Sequence, residues 1–277
     1  MIGRKNLPED YRKWNERWGA PFGHAAGRRL MTGGHPTQDV RAAQANPGGP
    51  DFGPFAFQPA SHTRIYEYPW AYLTAELDTP KRLLDIGGGA SGFQFVAAME
   101  GHDVVNVDPT ARSDYNDWSD PGYILLTPNR HKVLNDTFGT SVQLVAERIQ
   151  DAGLEPGGFD RIFCLSVLEH LDAAETLEII DHCVKLLKPG GMLLLTVDLF
   201  LDIKPFGVLD RNVWGINQNV HSLVERSGLE LVAGDPRELL GFPEFDFDRV
   251  VELLPELLIS KVYPVMTQTA ALRKPAG

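Results

Sequence analysis

The chain has little that would take it to nucleic acid, to a membrane or into an oxidising compartment. Lys and Arg number 26 against 37 Asp and Glu in 277 residues, a formal net charge of −11. Binding phosphates needs clustered bases, so nucleic acid is not an expected partner and an anionic membrane is not an expected surface. No apolar run approaches the length of a membrane span; MLLLTV (192–197) is typical of the longest. The opening MIGRKNLPEDYRKW has no apolar core and does not read as a secretion signal. Cysteine is nearly absent. Cys164 and Cys183 both fall inside apolar patterns, which predicts buried, reduced thiols in a cytoplasmic protein rather than a disulfide framework. There is no internal repeat.

What is present divides at about residue 60. Residues 1–60 form an N-terminal extension: PEDYRKWNERWGAPFGH predicts a short helix over 8–18, and the Gly- and Pro-rich stretch after it predicts a surface loop. From residue 61 to 277 apolar strands alternate with helical periods. Pro69 is expected to open a helix carrying Trp70, Leu73 and Leu77 on one face. The predicted strands are RLLDI (82–86), DVVNV (103–107), SVQLVA (141–146), FDRIFCLSV (159–167), MLLLTV (192–197), LELVAG (229–234) and VYPVMTQTAAL (262–272). Helices are predicted at 93–99, through Leu177, Ile180, Val184 and Leu187, and near 217–227; KPGG (188–191) is expected to cap the second of these. Strands apolar throughout, alternating with helices, predict an α/β fold with a mostly parallel sheet covered on both faces.

The chemistry starts at LLDIGGGASG (83–92). Gly87, Gly89 and Gly92 have the G-x-G-x-x-G spacing of a dinucleotide-binding turn, yet Asp85 stands two residues before the first glycine. Glycines at a strand-to-helix turn let the backbone approach a ligand, and Asp108 after the second strand suits ribose hydroxyls in either case. A carboxylate next to a pyrophosphate would be repelled, whereas an amino-acid ammonium would be drawn to it. Asp85-x-Gly87-x-Gly89, Asp108, SVLEHL (166–171) and LKPGG (187–191), in that order, resemble the class I S-adenosylmethionine-dependent methyltransferases over roughly residues 64–273. A nicotinamide dehydrogenase remains the alternative for the cofactor, and a non-catalytic cofactor-binding module the alternative in kind.

The resemblance implies a Rossmann-like, seven-stranded fold that binds S-adenosyl-L-methionine. It implies that Asp85, Gly87 and Gly89 hold the methionine end while Gly88 shapes the turn, and that Asp108, with Pro109 beside it, takes the ribose. In AERIQD (146–151), Ile149 is expected to pack the adenine, and Glu147 or its neighbour Arg148 to read its edge; Leu165 and Ser166 should approach the cofactor. Gly92 is expected to let the first helix pack closely. The candidate bases are His170 and Asp198, the latter placed just past the fifth strand, with His221 a weaker third. Tyr11, Trp14, Trp18 and Phe22, joined by His62 and Tyr66, are expected to face a small polar acceptor such as a sugar or secondary metabolite, with insertions at 110–128 and 198–216 alongside. Trp14 and Trp18 at helical spacing also suit plain packing. Asp198, Asp202, Asp210 and Asn212 lack a metal-ligand spacing, so no metal is expected. The other histidines (His24, His35, His102, His131, His182) are expected at the surface or in loops. Oxygen is the expected methyl acceptor, with nitrogen or carbon the alternative.

Overall fold

The computed structural model describes residues 1–24, 52–58, 60–111, 126–261 and 263–276. The predicted loop after residue 24 and most of the 110–128 insertion lie outside the described residues. Seven strands form one sheet: β1 (Arg82–Ile86), β2 (Asp103–Val107), β3 (Gln143–Val145), β4 (Phe159–Leu165), β5 (Leu187–Phe200), β6 (Glu230–Ala233) and β7 (Val265–Arg273). Their order is β3-β2-β1-β4-β5-β7-β6. Only β7 runs antiparallel, pairing with both β5 and β6. Successive parallel strands need crossovers, and the intervening helices supply them.

Alternate side chains along the strands feed two cores. Leu83, Phe163, Met192 and Leu194 face the helices α1 (Glu9–Trp18), α2 (Arg64–Thr74), α3 (Gly92–Met99) and α4 (Pro128–Phe138). Leu84, Val105, Ile162, Cys164, Leu193 and Leu195 face α5 (Ala173–Leu186) and α6 (Val220–Ser227). A last short helix, α7 (Phe247–Leu253), joins Ile2, Leu199 and Met266 in a smaller cluster. Both cysteines are buried and unpaired, and no helix among the described residues is long and apolar enough to cross a membrane.

Three elements differ from expectation, each for a local reason. Pro69 does not open α2 but lies inside it. It has no N–H for the Ile65 carbonyl one turn back, and Asn15 of α1 donates its Nδ2 to that carbonyl at 2.7 Å instead. KPGG does not cap α5. That helix ends where Leu187 turns extended, and the strand already includes Lys188 to Gly191, with Lys188 Nζ held 2.8 Å from Asp160. Asp198 is therefore a buried residue within β5 rather than a loop residue beyond it.

The division at residue 60 does not coincide with a break in packing. Ile2 bridges to Gln268 of β7, and Trp14 and Trp18 are buried in the same core as Phe55, Tyr72 and Phe93. Trp14 meets Phe55 edge-on at 5.8 Å and lies tilted against Tyr72 at 5.5 Å. At about 1.5–3 kcal/mol for each large apolar side chain taken from water, this helix belongs to the fold's stability.

Candidate active site

The carboxyl edge of the sheet holds two adjoining arrangements. The first is a glycine cradle between β1 and α3. Gly87 and Gly89 have φ of +65° and +55°, which side chains with a Cβ rarely adopt. Their surroundings are also tight: a Cβ on Gly87 would come 2.8 Å from Val167, and one on Gly89 2.6 Å from Gln58 Oε1. The Gln58 oxygen accepts the Ala90 N–H at 2.5 Å. Behind the turn, His131 donates to Gln94, and both Gln94 and Asn106 donate to the Gly89 carbonyl at 2.9 Å. His131 is thus buried within α4, its pKa pushed down to about 4 by burial, and is neither the surface nor the loop residue expected; His102 lies in a loop as expected, though buried.

Asp85 is 4% exposed, and its carboxyl accepts no hydrogen bond from the described residues. Burial, and then Asp108, raise its pKa to about 8. Asp108 is committed on both oxygens: Oδ2 accepts the Gly89 N–H at 2.7 Å, and Oδ1 accepts the Thr110 amide and hydroxyl. Both in-plane lone pairs of Oδ1 are thus in use, and Oδ2 keeps one for a further donor.

The second arrangement lies at the ends of β4 and β5. Arg64 Nη1 donates to both oxygens of Glu67 at 2.7 and 2.8 Å and to Ser166 Oγ at 2.6 Å. Glu67, fully buried, also accepts from Ser166 Oγ at 2.8 Å and Thr196 Oγ1 at 2.6 Å. Burial opposes its ionisation, but Arg64 and these hydroxyls outweigh burial and hold its pKa below the usual range. Ser166 has φ of +49°, a strained conformation of the kind found where a site dictates the backbone. Sequence reasoning missed Arg64 and Glu67. Their only local signal is an Arg and a Glu three apart on a helix, which commonly means a surface pair.

Two further carboxyls share this ground. Asp198 accepts from Ser166 Oγ at 3.5 Å and is 7% exposed; burial, Glu169 and Glu67 hold its pKa well above the usual range. Glu169 is fully buried, and neither of its oxygens has a well-formed hydrogen bond. The nearby amides of Glu169 itself and Asp198 favour its charge, but burial dominates and raises its pKa to about 7. One guanidinium thus neutralises one of three carboxyls and leaves the other two inclined to keep protons.

His170 closes the group. Its Nδ1 lies 2.5 Å from the Trp214 carbonyl. A carbonyl can only accept, so Nδ1 carries the hydrogen and neutral His170 has its lone pair on Nε2. Burial lowers the His170 pKa against the opposing pull of the Trp214 carbonyl and Asp198.

The remaining predicted residues are dispersed. Pro109 follows Asp108 in a short 3-10 turn, and Leu165 ends β4 beside Ser166. Ile149 is buried in the α5-side core with Val105 and Val107, and Arg148 pairs with Glu175 of α5 at 3.5 Å; Glu147 lies half-buried just ahead of them. His221 sits on α6 against the Phe242 ring and 3.6 Å from Glu225, and none of its recorded partners belongs to the site. Phe22 and His62 stack at 6.4 Å, and Tyr11 meets Tyr66 edge-on at 5.4 Å. Tyr66 is buried beside Gly3 and Thr267. Among the described residues no group of three or more acids, histidines or cysteines is arranged to hold a metal. Asp202 is instead hydrogen-bonded by Asn212 and Tyr263, and Asp210 pairs with Lys204.

An α/β sheet of this order with a glycine cradle beside a buried acid is a Rossmann-like fold, and comparison with known proteins gives the family. A family model described as a methyltransferase domain matches residues 62–233, more than half of the chain. The chain belongs to that family and is a member of the class I S-adenosylmethionine-dependent methyltransferases. Among curated proteins, it is 33% identical over 131 residues to the ubiquinone biosynthesis O-methyltransferase of Xanthomonas campestris pv. campestris, covering 45% of this chain and 46% of the relative. It is 27% identical over 157 residues to the enzyme of the same name from Paraburkholderia phymatum, covering 57% and 56%. The chain spans about half the length of the curated relatives it matches. Among solved structures, the PH0226 protein of Pyrococcus horikoshii OT3 superposes with a TM-score of 0.50 at 11% identity, over 75% of this chain and 89% of that one. A 4+2 cyclase, SpnF, gives 0.54 at 16% identity over 92% and 98%. A cyclase by name on this fold means that the fold does not by itself assign the reaction.

Proposed function

We propose that the chain transfers the methyl group of S-adenosylmethionine to a hydroxyl oxygen of a small polar acceptor, such as a sugar or a secondary metabolite. The observation that carries this reading is His170, held by the Trp214 carbonyl with its lone pair on Nε2 and a lowered pKa, at the edge where the cofactor cradle ends.

The residues present fit the cofactor. Among the described residues Asp85 is a buried acid with no cation raising or lowering its pKa, which suits the amino group of a methionine moiety. Arg64 has Nη1 committed, while its Nε and Nη2 make no hydrogen bond to the described residues and the side chain is 15% exposed. That edge suits the carboxylate of the same moiety. Tyr68 lies within electrostatic reach of both Arg64 and Asp85 and accepts from Ser91 Oγ at 3.2 Å, which ties the two ends together. Asp108 would take the ribose. When bound, S-adenosylmethionine supplies an electrophilic methyl on a positive sulfur.

This chain's part is to orient the acceptor and remove its proton. His170 Nε2 accepts the hydroxyl proton. Asp198 is a comparable candidate from sequence, but burial, Glu169 and Glu67 raise its pKa well above the usual range, which favours the protonated form and suits it to donate a hydrogen bond to the acceptor. The relatives named as O-methyltransferases favour oxygen over nitrogen.

The test is calorimetry against S-adenosylmethionine, S-adenosylhomocysteine and NAD, followed by methyl transfer to sugar and phenol probes. Micromolar binding of the first two without NAD is expected. His170→Ala is expected to lose about a hundred- to ten-thousandfold in kcat with S-adenosylhomocysteine affinity kept. Binding of NAD alone, or an unchanged rate in H170A, would overturn the reading.

A further inference from the structure

The segment after β5 holds a chain of contacts that ends on the base. Asn212 Oδ1 accepts the amide hydrogens of Trp214 at 2.8 Å and Gly215 at 3.0 Å, an Asx-type turn closed by the Asn212 amide donating to the Gly215 carbonyl at 3.0 Å. Asn212 Nδ2 donates to Asp202 Oδ1 at 3.0 Å and also to the Tyr263 hydroxyl, which in turn donates to Asp202 Oδ2 at 2.9 Å. All of Asn212's side-chain polar atoms are therefore in use. On its far side the turn is pinned to the catalytic segment: Ile216 donates to the Glu169 carbonyl at 2.9 Å, and a Cβ on Gly215 would collide with that same carbonyl. The Tyr263 ring meets Trp214 edge-on at 6.0 Å. The Trp214 carbonyl is thus aimed at His170 Nδ1 from a turn braced at both ends.

We propose that Asn212, backed by Asp202 and Tyr263, is a positioning residue that holds the Trp214 carbonyl on His170 and so selects the imidazole tautomer with its lone pair on Nε2. The inference rests on the reading of His170 as the base. It also gives a use to Asp202 and Asn212, which the sequence offered only as members of a loose acidic group. Carboxylates and carbonyls that orient a histidine through its second nitrogen are a general device for fixing its tautomer. Here the carbonyl is on the backbone, so its aim depends on a turn, and the turn depends on one amide side chain. Among the described residues, the charged groups that act on the ring are Asp198 from β5 and Arg64 from α2; Arg64 is a donor only, and Asp198 is hydrogen-bonded to Ser166 Oγ at 3.5 Å.

The test reads the ring itself. In uniformly 15N-histidine-labelled protein, with the His170 signals assigned by their loss in H170N, wild type is expected to show a protonated Nδ1 and a bare Nε2. Asn212→Ala is expected to give a mixture of tautomers. Its kcat for a phenol probe should fall about tenfold and the acidic limb of its pH profile should shift, while KM and S-adenosylhomocysteine affinity stay within twofold. Asn212→Ser, whose hydroxyl can still accept from the Trp214 amide, should recover most of the loss. Tyr263→Phe, which keeps the ring and loses only the brace to Asp202, should move the same readouts two- to threefold and covers the case in which N212A fails to fold. A wild-type ring protonated on Nε2, or an N212A tautomer and kcat like wild type, would overturn the proposal. If H170A keeps the wild-type rate, the base assignment falls, and the tautomer spectrum still decides the positioning role by itself.

Discussion

The glycine cradle and the acid cluster share one sheet edge and meet at Val167, yet they are built in opposite ways. The cradle is mostly local: Asp85, the glycines and Asp108 lie within twenty-four residues, and the Gly89 amide reaches Asp108 only 19 positions on. The cluster is assembled from afar, with Arg64 reaching Ser166 across 102 positions and Glu67 reaching Thr196 across 129. The cradle binds through backbone geometry and spare lone pairs. The cluster sets charge, confining one guanidinium and three carboxyls where water cannot screen them. In the proposed reading the cofactor draws on both regions, through Asp85 in the cradle and Arg64 in the cluster, whereas the confined charges are the cluster's alone, and substitutions should divide along that line.

The largest effect should fall on the cluster as a loss of the fold. Glu67→Leu leaves a confined guanidinium without its counter-ion and is expected to cost about 3–5 kcal/mol in urea unfolding. The double variant R64M/E67L should recover much of that stability while remaining weak in cofactor binding. Wild-type stability in E67L alone would break the comparison, because the cluster would then be no more costly to disturb than a surface pair.

Next comes the cradle, where binding rather than folding should suffer. Asp85→Asn is expected to weaken S-adenosylhomocysteine at least about tenfold, or about 1.4 kcal/mol. At pH 7 the wild-type acid, with its pKa near 8, is protonated, and pairing with an ammonium requires the carboxylate. Binding should therefore release up to one proton, read by calorimetry in buffers of different ionisation enthalpy, and none in D85N. Stability should move the other way. The folded chain keeps a proton that the unfolded chain gives up from its ordinary pKa of 3.8, so Asp85 costs stability increasingly as pH rises from about 4 to about 8. D85N should melt higher than wild type at pH 8, and the two should converge near pH 4.

The smallest effect sharpens the boundary between the two regions. Gln58→Ala leaves the Ala90 amide without its acceptor, at about 1 kcal/mol of stability by thermal melting. Cofactor affinity should change less than in D85N. A larger loss of affinity than in D85N would make Gln58 part of the cradle proper.

The same contrast explains what could be read in the sequence. β1, β2 and β4, the turn of Asp85 to Gly89 and the place of Asp108 were all legible, because periodicity and spacing are carried by neighbours in the chain. The start of α2 was not, because Pro69 is accommodated by a side chain from α1, fifty positions away from the Ile65 carbonyl it satisfies. Asp198 looked like a loop base until β5 proved to run on to Phe200. Arg64 and Glu67 gave only the signal of a helical surface pair, since nothing near them in the chain indicates that they turn inward to Ser166 and Thr196. Trp14 and Trp18 were legible as a helical face; that the face turns to the core rests on Phe55 and Tyr72, which approach from two different segments.

Gly92 also has a meaning beyond the cradle. It begins α3, and a Cβ there would stand 2.6 Å from the Pro54 carbonyl carbon and 2.7 Å from the Phe55 ring. The close packing that Gly92 was expected to allow α3 is packing against the segment at 53–58. For transplantation between related enzymes, this makes residues 53–58 and position 92 a single unit of exchange. A chimaera that receives this segment but carries alanine where Gly92 stands would have its two halves held apart by one methyl group, however well each half matched its own parent.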